Sequence, residues 1–131
     1  MSTRVLNQVL STLEENGFMA SVFANADGLI LASTKTEQMN DKIIAAMVAL
    51  LSESAEKAKE ELELSTDLIE IRIKWGDLTI WCRNIKIDDS AFLLAGIAPP
   101  VQNNEEEEYQ SNLMDWAVEN SMPPLKKLVS L

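Results

Sequence analysis

The side chains able to do chemistry are few and poorly matched to one another. One thiol, Cys82, is present, and the 131 residues contain no histidine. A nucleophilic cysteine is usually activated by a neighbouring imidazole. Without one, Cys82 reads as a small apolar residue inside a strand. The lack of histidine also removes the commonest general base and the commonest metal ligand. A lone cysteine cannot form an intrachain disulfide. Adjacent carboxylates occur at Glu60-Glu61 and Asp88-Asp89. They fall on a helix surface and in a turn, where solvation accounts for them. Glu53, Glu56 and Glu60 share one helical face and could bind a hard cation weakly, but a solvated charged face is the simpler explanation. Neither G-x-x-x-x-G-K-[ST] nor G-x-G-x-x-G occurs, and Gly17, Gly28, Gly76 and Gly96 are too scattered to build a phosphate cradle. The expectation is a non-catalytic chain with no cofactor and no metal.

Net charge narrows the partners. Twenty-one acidic residues against eleven basic ones give −10. Such a surface repels phosphate backbones and anionic lipid, so neither nucleic acid nor membrane insertion is expected. It suits a partner with a basic patch. A hydrophobic fraction of 47% is enough for a core without disulfides or metal. No apolar run approaches the roughly 20 residues of a membrane span. The first thirteen residues are amphipathic rather than signal-like, which points to the cytoplasm.

The elements that would position these groups follow from periodicity. Val5, Leu6, Val9, Leu10 and Leu13 recur at helical spacing, with Ser2 or Thr3 as cap and Asn16-Gly17 as the stop. Phe18 to Ala24 and Leu29 to Ser33 read as strands. The Asn25-Ala26-Asp27-Gly28 turn joins them, because Asp-Gly tolerates the positive φ of tight hairpins. Residues 34–40 read as a polar connection.

The second helix runs from about Asp41 to Leu62. At about 100° per residue, Ile43, Ile44, Met47, Val48, Leu51, Ala55, Ala58 and Leu62 form one broad arc. The opposite arc carries Glu53, Glu56, Lys57 and Glu60 in its second half, but Ala45, Ala46 and Ala49 in its first, with Leu50 at the edge. Small residues on an outer face would let another helix approach closely. Alanine is equally the best helix former, and the two explanations stand level.

Ile69, Ile71, Ile73 and Trp75 alternate with Glu70, Arg72 and Lys74, so one face of that strand should be buried and one polar. Gly76-Asp77 turns the chain. Leu78, Ile80 and Cys82 then alternate with Thr79, Trp81 and Arg83. Ala91 to Ile97 is apolar on both faces, as a central strand covered on both sides would be. Ala98-Pro99-Pro100 ends it. A third helix is expected from about Glu105 to Asn120, capped by Asn104, with Tyr109, Leu113, Trp116 and Ala117 inward and Glu105 to Glu108 complementing its dipole. Pro123-Pro124 should break it, leaving 121–131 as a tail. Trp75 and Trp116 are expected in the core. Trp81 is expected to be partly exposed, marking a contact surface.

The order is α-β-β-α-β-β-β-α. This is an α+β fold with a five-stranded, mainly antiparallel sheet and helices on both faces, one domain over 1–131 with its core in 5–120. No repeat, linker or low-complexity segment interrupts it.

At this point the chain resembles the Roadblock/LC7 family. Asn25-Ala26-Asp27-Gly28-Leu29-Ile30-Leu31-Ala32-Ser33 is similar to that family's hairpin, in which an Asp-Gly turn precedes an apolar strand ending in Ala-Ser. The long second helix and the Gly76-Asp77 hairpin fit the same plan, and the likeness spans Val5 to Asn120. Profilin-like and longin domains share that sheet-and-helix sandwich.

The resemblance implies a homodimer, with second helices packed antiparallel and third strands paired across a two-fold axis. Carried onto this sequence, the interface would hold Ile43, Ala46, Ala49, Leu50, Glu70, Arg72 and Lys74. The family supplies regulators and scaffolds for small Ras-like GTPases and light chains of the dynein motor. A GTPase regulator is the first reading, with Asp41, Lys42, Ala45 and Glu53 touching the partner. A non-catalytic scaffold or dynein-light-chain-like adaptor is the alternative. An arginine finger is not expected. Arg72 and Arg83 lie on strands with poor reach, and Arg4, which could reach further, reads as solvated.

Overall fold

A computed structural model describes residues 2–34 and 39–130. Most of the expected 34–40 connection lies outside the described residues. The elements appear in the expected order: α1 (Ser2–Glu15), β1 (Ala20–Asn25), β2 (Ile30–Ser33), α2 (Asp41–Glu61), β3 (Glu70–Lys74), β4 (Thr79–Ile87), β5 (Ser90–Ala98) and α3 (Asn104–Val129). The strands form one antiparallel sheet in the order β2-β1-β5-β4-β3. β5 is central, and Phe92 to Ala98 are all buried, as an apolar run with no polar face requires.

Two cores flank the sheet. α1 buries Leu6, Val9, Leu10 and Leu13 together with α3 and with Phe23, Trp81, Leu94 and Phe92. On the other face α2 packs Ile44, Ala45, Val48 and Ala49 against Val22, Ala24, Ile80, Leu93, Ala95 and Ile97. α1 ends as its sequence dictates. Gly17 takes φ +108°, and the Phe18 amide donates back to the Leu13 carbonyl at 3.0 Å.

The hairpin tip decides how α2 sits. The Asn25 side-chain oxygen accepts from the amides of Asp27 (2.9 Å) and Leu29 (3.0 Å), and Gly28 adopts φ +86°. A Cβ at Gly28 would lie 3.3 Å from both the Ala45 carbonyl and the Ala49 Cβ. The alanines therefore let this chain's own hairpin approach α2. Ala45 and Ala49 do not form an outer face; Ala46 alone of the three stays exposed.

α3 departs from expectation in three respects. Its cap is Asn103, not Asn104: the Asn103 side chain accepts from the Glu106 amide at 2.9 Å, and the Glu106 carboxylate accepts from the Gln102 amide at 2.8 Å. Its buried stripe is Gln110, Met114, Ala117, Ser121, Pro124 and Leu125, leaving Tyr109 and Trp116 exposed. Gln110 wins the inner position because both ends of its amide are used, accepting from Trp81 Nε1 at 2.9 Å and donating to the Pro99 carbonyl at 3.1 Å. Finally, α3 runs through Pro123-Pro124. Interior prolines cost about 3 kcal/mol each; Pro123 is exposed, Pro124 is buried, and Leu125 is buried in the core that α1 and α3 share. The carbonyls that lose donors belong to the exposed Glu119 and Asn120, where water can serve them.

Candidate interaction surface

The side chains of α2 divide into a buried face and a greasy outer one. Asn40 caps the helix, its side chain accepting from Lys42 (3.0 Å) and Ile43 (3.3 Å) amides. With the start so fixed, Ile44, Ala45, Val48, Ala49 and Ser52 point into the sheet. Ile43 and Leu50 are then left 66% and 64% exposed, about two turns apart on one side of the helix. Ala46 is exposed between them, and Met47 and Leu51 are half-buried on the flank.

That flank leads to thinly covered sheet. α2 lies over β1, β2 and β5. Ile71 and Ile73 of β3 share the α2 face but are only half-buried. Beyond the strand's ends, on the same alternation, Ile69 is 71% and Trp75 49% exposed. Leu62 and Leu64, where α2 hands over to the connection, are exposed as well.

β3 is also an edge: among the described residues its sheet neighbour is β4 alone. The Ile69 carbonyl accepts from Asn84 and the Trp75 amide donates to Leu78, both at 2.9 Å. Antiparallel alternation then turns the backbone groups of Glu70, Arg72 and Lys74 outward, to the open side.

The side chains of those three residues point the other way, under α3. Arg72 stacks over Trp81 at 3.9 Å and pairs with Glu70 at 2.9 Å and with Glu107. Lys74 reaches Glu107 at 3.3 Å. Arg83 pairs with Glu70 at 2.6 Å and with Asp115. Trp81, expected near the surface, is fully buried beneath this network. Trp75 and Trp116, expected in the core, are the exposed ones. Alternation assigned the faces of β4 correctly, but the depth of each face depends on α3, whose register the sequence hid.

The other expected contact residues separate cleanly. Ile43, Ala46 and Leu50 come together on the outer face of α2. Ala45 (0% exposed) and Ala49 (8%) are instead buried in the core between α2 and the sheet, with Gly28 close to the Ala45 carbonyl and the Ala49 Cβ. Asp41 is half-buried and accepts from the Ser33 hydroxyl at 2.7 Å. Lys42 and Glu53 are exposed, with Glu53 3.6 Å from Lys57. Ile69, Trp75 and Leu62, expected on apolar buried faces, are exposed, and Leu64 was not singled out from sequence. The signal was there for the first two: an apolar strand face that outruns the helix covering it.

Titratable groups add little chemistry. Burial pushes the Cys82 thiol up to about 12, against a lowering contribution from Ser52. Hydrogen bonds from Lys59 and Lys86 hold the Asp67 carboxyl below its usual range. Among the described residues no three His, Cys, Asp or Glu side chains are placed to hold a metal, and no helix is long and apolar enough to cross a membrane.

No family model matches the sequence, and no curated protein matches it. Solved structures do. A Roadblock/LC7 domain from Streptomyces avermitilis superposes with TM-score 0.76 at 16% identity, over 91% of this chain and 96% of that one. The gliding protein MglB from Thermus thermophilus gives 0.75 at 11%, over 96% and 92%. Myxococcus xanthus MglB gives 0.72 at 10%, over 98% and 90%. The chain has the Roadblock/LC7 fold.

Proposed function

We propose that this chain is a homodimeric Roadblock/LC7-type interaction module that binds and regulates a small Ras-like GTPase in the cytoplasm, contributing no catalytic group. The observation that carries the reading is the exposed stripe Ile43–Ala46–Leu50 beside a half-covered edge strand. Exposed apolar patches and bare strand edges are the features that a second copy removes.

Magnitudes set what the interface must include. In a two-fold dimer Ile43 and Leu50 contribute four large side chains, each worth about 1.5–3 kcal/mol when fully buried. Association costs about 4–15 kcal/mol. The α2 stripe therefore only matches that cost, and pairing of β3 with burial of Ile69 and Trp75 supplies the surplus. The GTPase reading comes from the fold's likeness to Roadblock/LC7 domains. Lys42 and Glu53, exposed on α2, are the residues assigned to the partner. Arg72 and Arg83 are tied into ion pairs and Arg4 is read as solvated, so an effect on GTP hydrolysis is expected to work by repositioning the GTPase's own switch groups.

The test joins light scattering to nucleotide assays with Ras-like GTPases from the same source. The expected result is a dimer that changes GTP turnover or nucleotide exchange of one of them. Failure to bind or affect any would contradict the regulator reading. A stable complex with a larger protein, indifferent to GTP or GDP, would favour the scaffold.

A further inference from the structure

Granted the dimer just described, we propose that the two β3 strands meet with Arg72 on the two-fold axis, and that Glu107 of α3 neutralises the charge that this register brings together. A two-fold axis through a residue of an antiparallel pair sets that residue opposite its own copy. Each possible centre therefore makes a definite set of cross-strand neighbours.

Centring on Glu70 opposes two carboxylates at the axis and leaves Lys74 and Trp75 without a place. A centre at Ile73 sets Arg72 against Lys74 of the partner subunit. With Ile71 at the centre, Glu70 pairs well with Arg72 of the partner subunit, but Trp75 runs past the end. Only a centre at Arg72 overlaps the strand Glu70–Lys74 with the whole of itself. It engages every outward amide and carbonyl of Glu70, Arg72 and Lys74. It sets Glu70 opposite Lys74 of the partner subunit and Ile71 opposite Ile73 of the partner subunit. The two exposed ends, Ile69 and Trp75, then cover one another.

The cost of that register is one pair of facing arginines, with Cα atoms about 5.5 Å apart. Within one chain the local charges balance: Arg72, Lys74 and Arg83 against Glu70, Glu107 and Asp115. Glu107 is the carboxylate shared by Arg72 and Lys74, and it comes from a helix outside the strand pair. Stacking on Trp81 fixes the guanidinium toward α3 and off the axis. Glu107 is thus a positioning residue. Removing its charge leaves one uncompensated cation per copy beside the axis.

Two measurements test this. The first is oxidative cross-linking of single cysteines placed at positions 70 to 74, with native Cys82 buried and out of reach. Covalent dimer should peak for Arg72→Cys, since only the axial residue meets itself at disulfide distance. A peak at 71, or at any other position, overturns the register. The second needs no cysteine. Glu107→Gln should weaken the dimer about threefold to tenfold at low salt, the loss shrinking as salt screens the facing cations. Adding Arg72→Gln should restore association, whereas a merely structural role for Glu107 would leave the double variant no better. An unchanged dissociation constant for Glu107→Gln overturns its role. Native protein that sediments as a monomer at every concentration removes the dimer reading itself. A native dimer that cross-links at none of the five positions removes only the strand pairing.

Discussion

The sheet's two faces are covered to different depths, and the difference separates what folds the chain from what the chain does. On one face two helices bury Leu6, Leu10, Leu13, Leu94, Met114 and Leu125 completely. On the other, a single helix lies over β1, β2 and β5, and Ile71 and Ile73 of β3 are only half-buried. The closed face buries its large aliphatic side chains and leaves Tyr109 and Trp116 of α3 exposed. The open face keeps Ile43, Leu50, Ile69 and Trp75 in solvent, and the proposed association would bury them.

The sharpest way to break this contrast is to damage each face and ask which property fails. Leu94→Ala, in the closed core, should lower unfolding free energy by about 2–5 kcal/mol. Denaturant titration of the monomeric state reads it. Leu50→Glu, on the open face, should leave that titration nearly unchanged yet weaken self-association by about 2–4 kcal/mol, because it buries an unpaired charge between copies. Sedimentation equilibrium decides. If Leu50→Glu instead unfolds the chain, the outer stripe belongs to the core and the contrast is wrong.

Gly28→Ala sharpens the boundary between faces. Its φ of +86° and the 3.3 Å approach to Ala45 and Ala49 should cost about 1–2 kcal/mol of stability, read by thermal unfolding, and shift α2 outward. The smallest effect concerns the connection into β3. Asp67 has its folded pKa depressed below 3.8 by Lys59 and Lys86. Its contribution is therefore present above that value and is lost as pH falls through the lower, folded value. Asp67→Asn should abolish this small acid dependence without affecting the dimer, as pH-dependent unfolding would show.

Much of the fold was legible in the sequence because local signals agreed with one another. Period-two alternation fixed β3 and β4, the doubly apolar run fixed β5 as central, and Asn16-Gly17 and Asp27-Gly28 fixed two turns. The failures share one physical cause: they depend on what lies opposite. Ala45 and Ala49 looked like an outer face because nothing local shows that Gly28 packs on them. Tyr109 and Trp116 looked inward because nothing local shows that Gln110 takes the buried position through Trp81 and Pro99. Pro123-Pro124 looked like a stop because burial of Leu125 in the core shared with α1 is not a local property. The candidate surface was half legible for the same reason. Ala46 and Leu50 were legible on the outer arc of their helix, and Ile43, which periodicity placed on the opposite arc, entered through the family resemblance, whereas Ile69 and Trp75 were expected on a buried strand face and are exposed.

The central claim is that the open face of α2 and the edge of β3 meet a second copy of this chain. Amide hydrogen exchange at Glu70, Arg72 and Lys74, followed across a dilution series, tests it most directly. Protection at these three outward amides should rise with protein concentration, while the inward amides of Ile71 and Ile73, already bonded to β4, stay constant. Exchange at Glu70, Arg72 and Lys74 that is fast and independent of concentration would contradict the account.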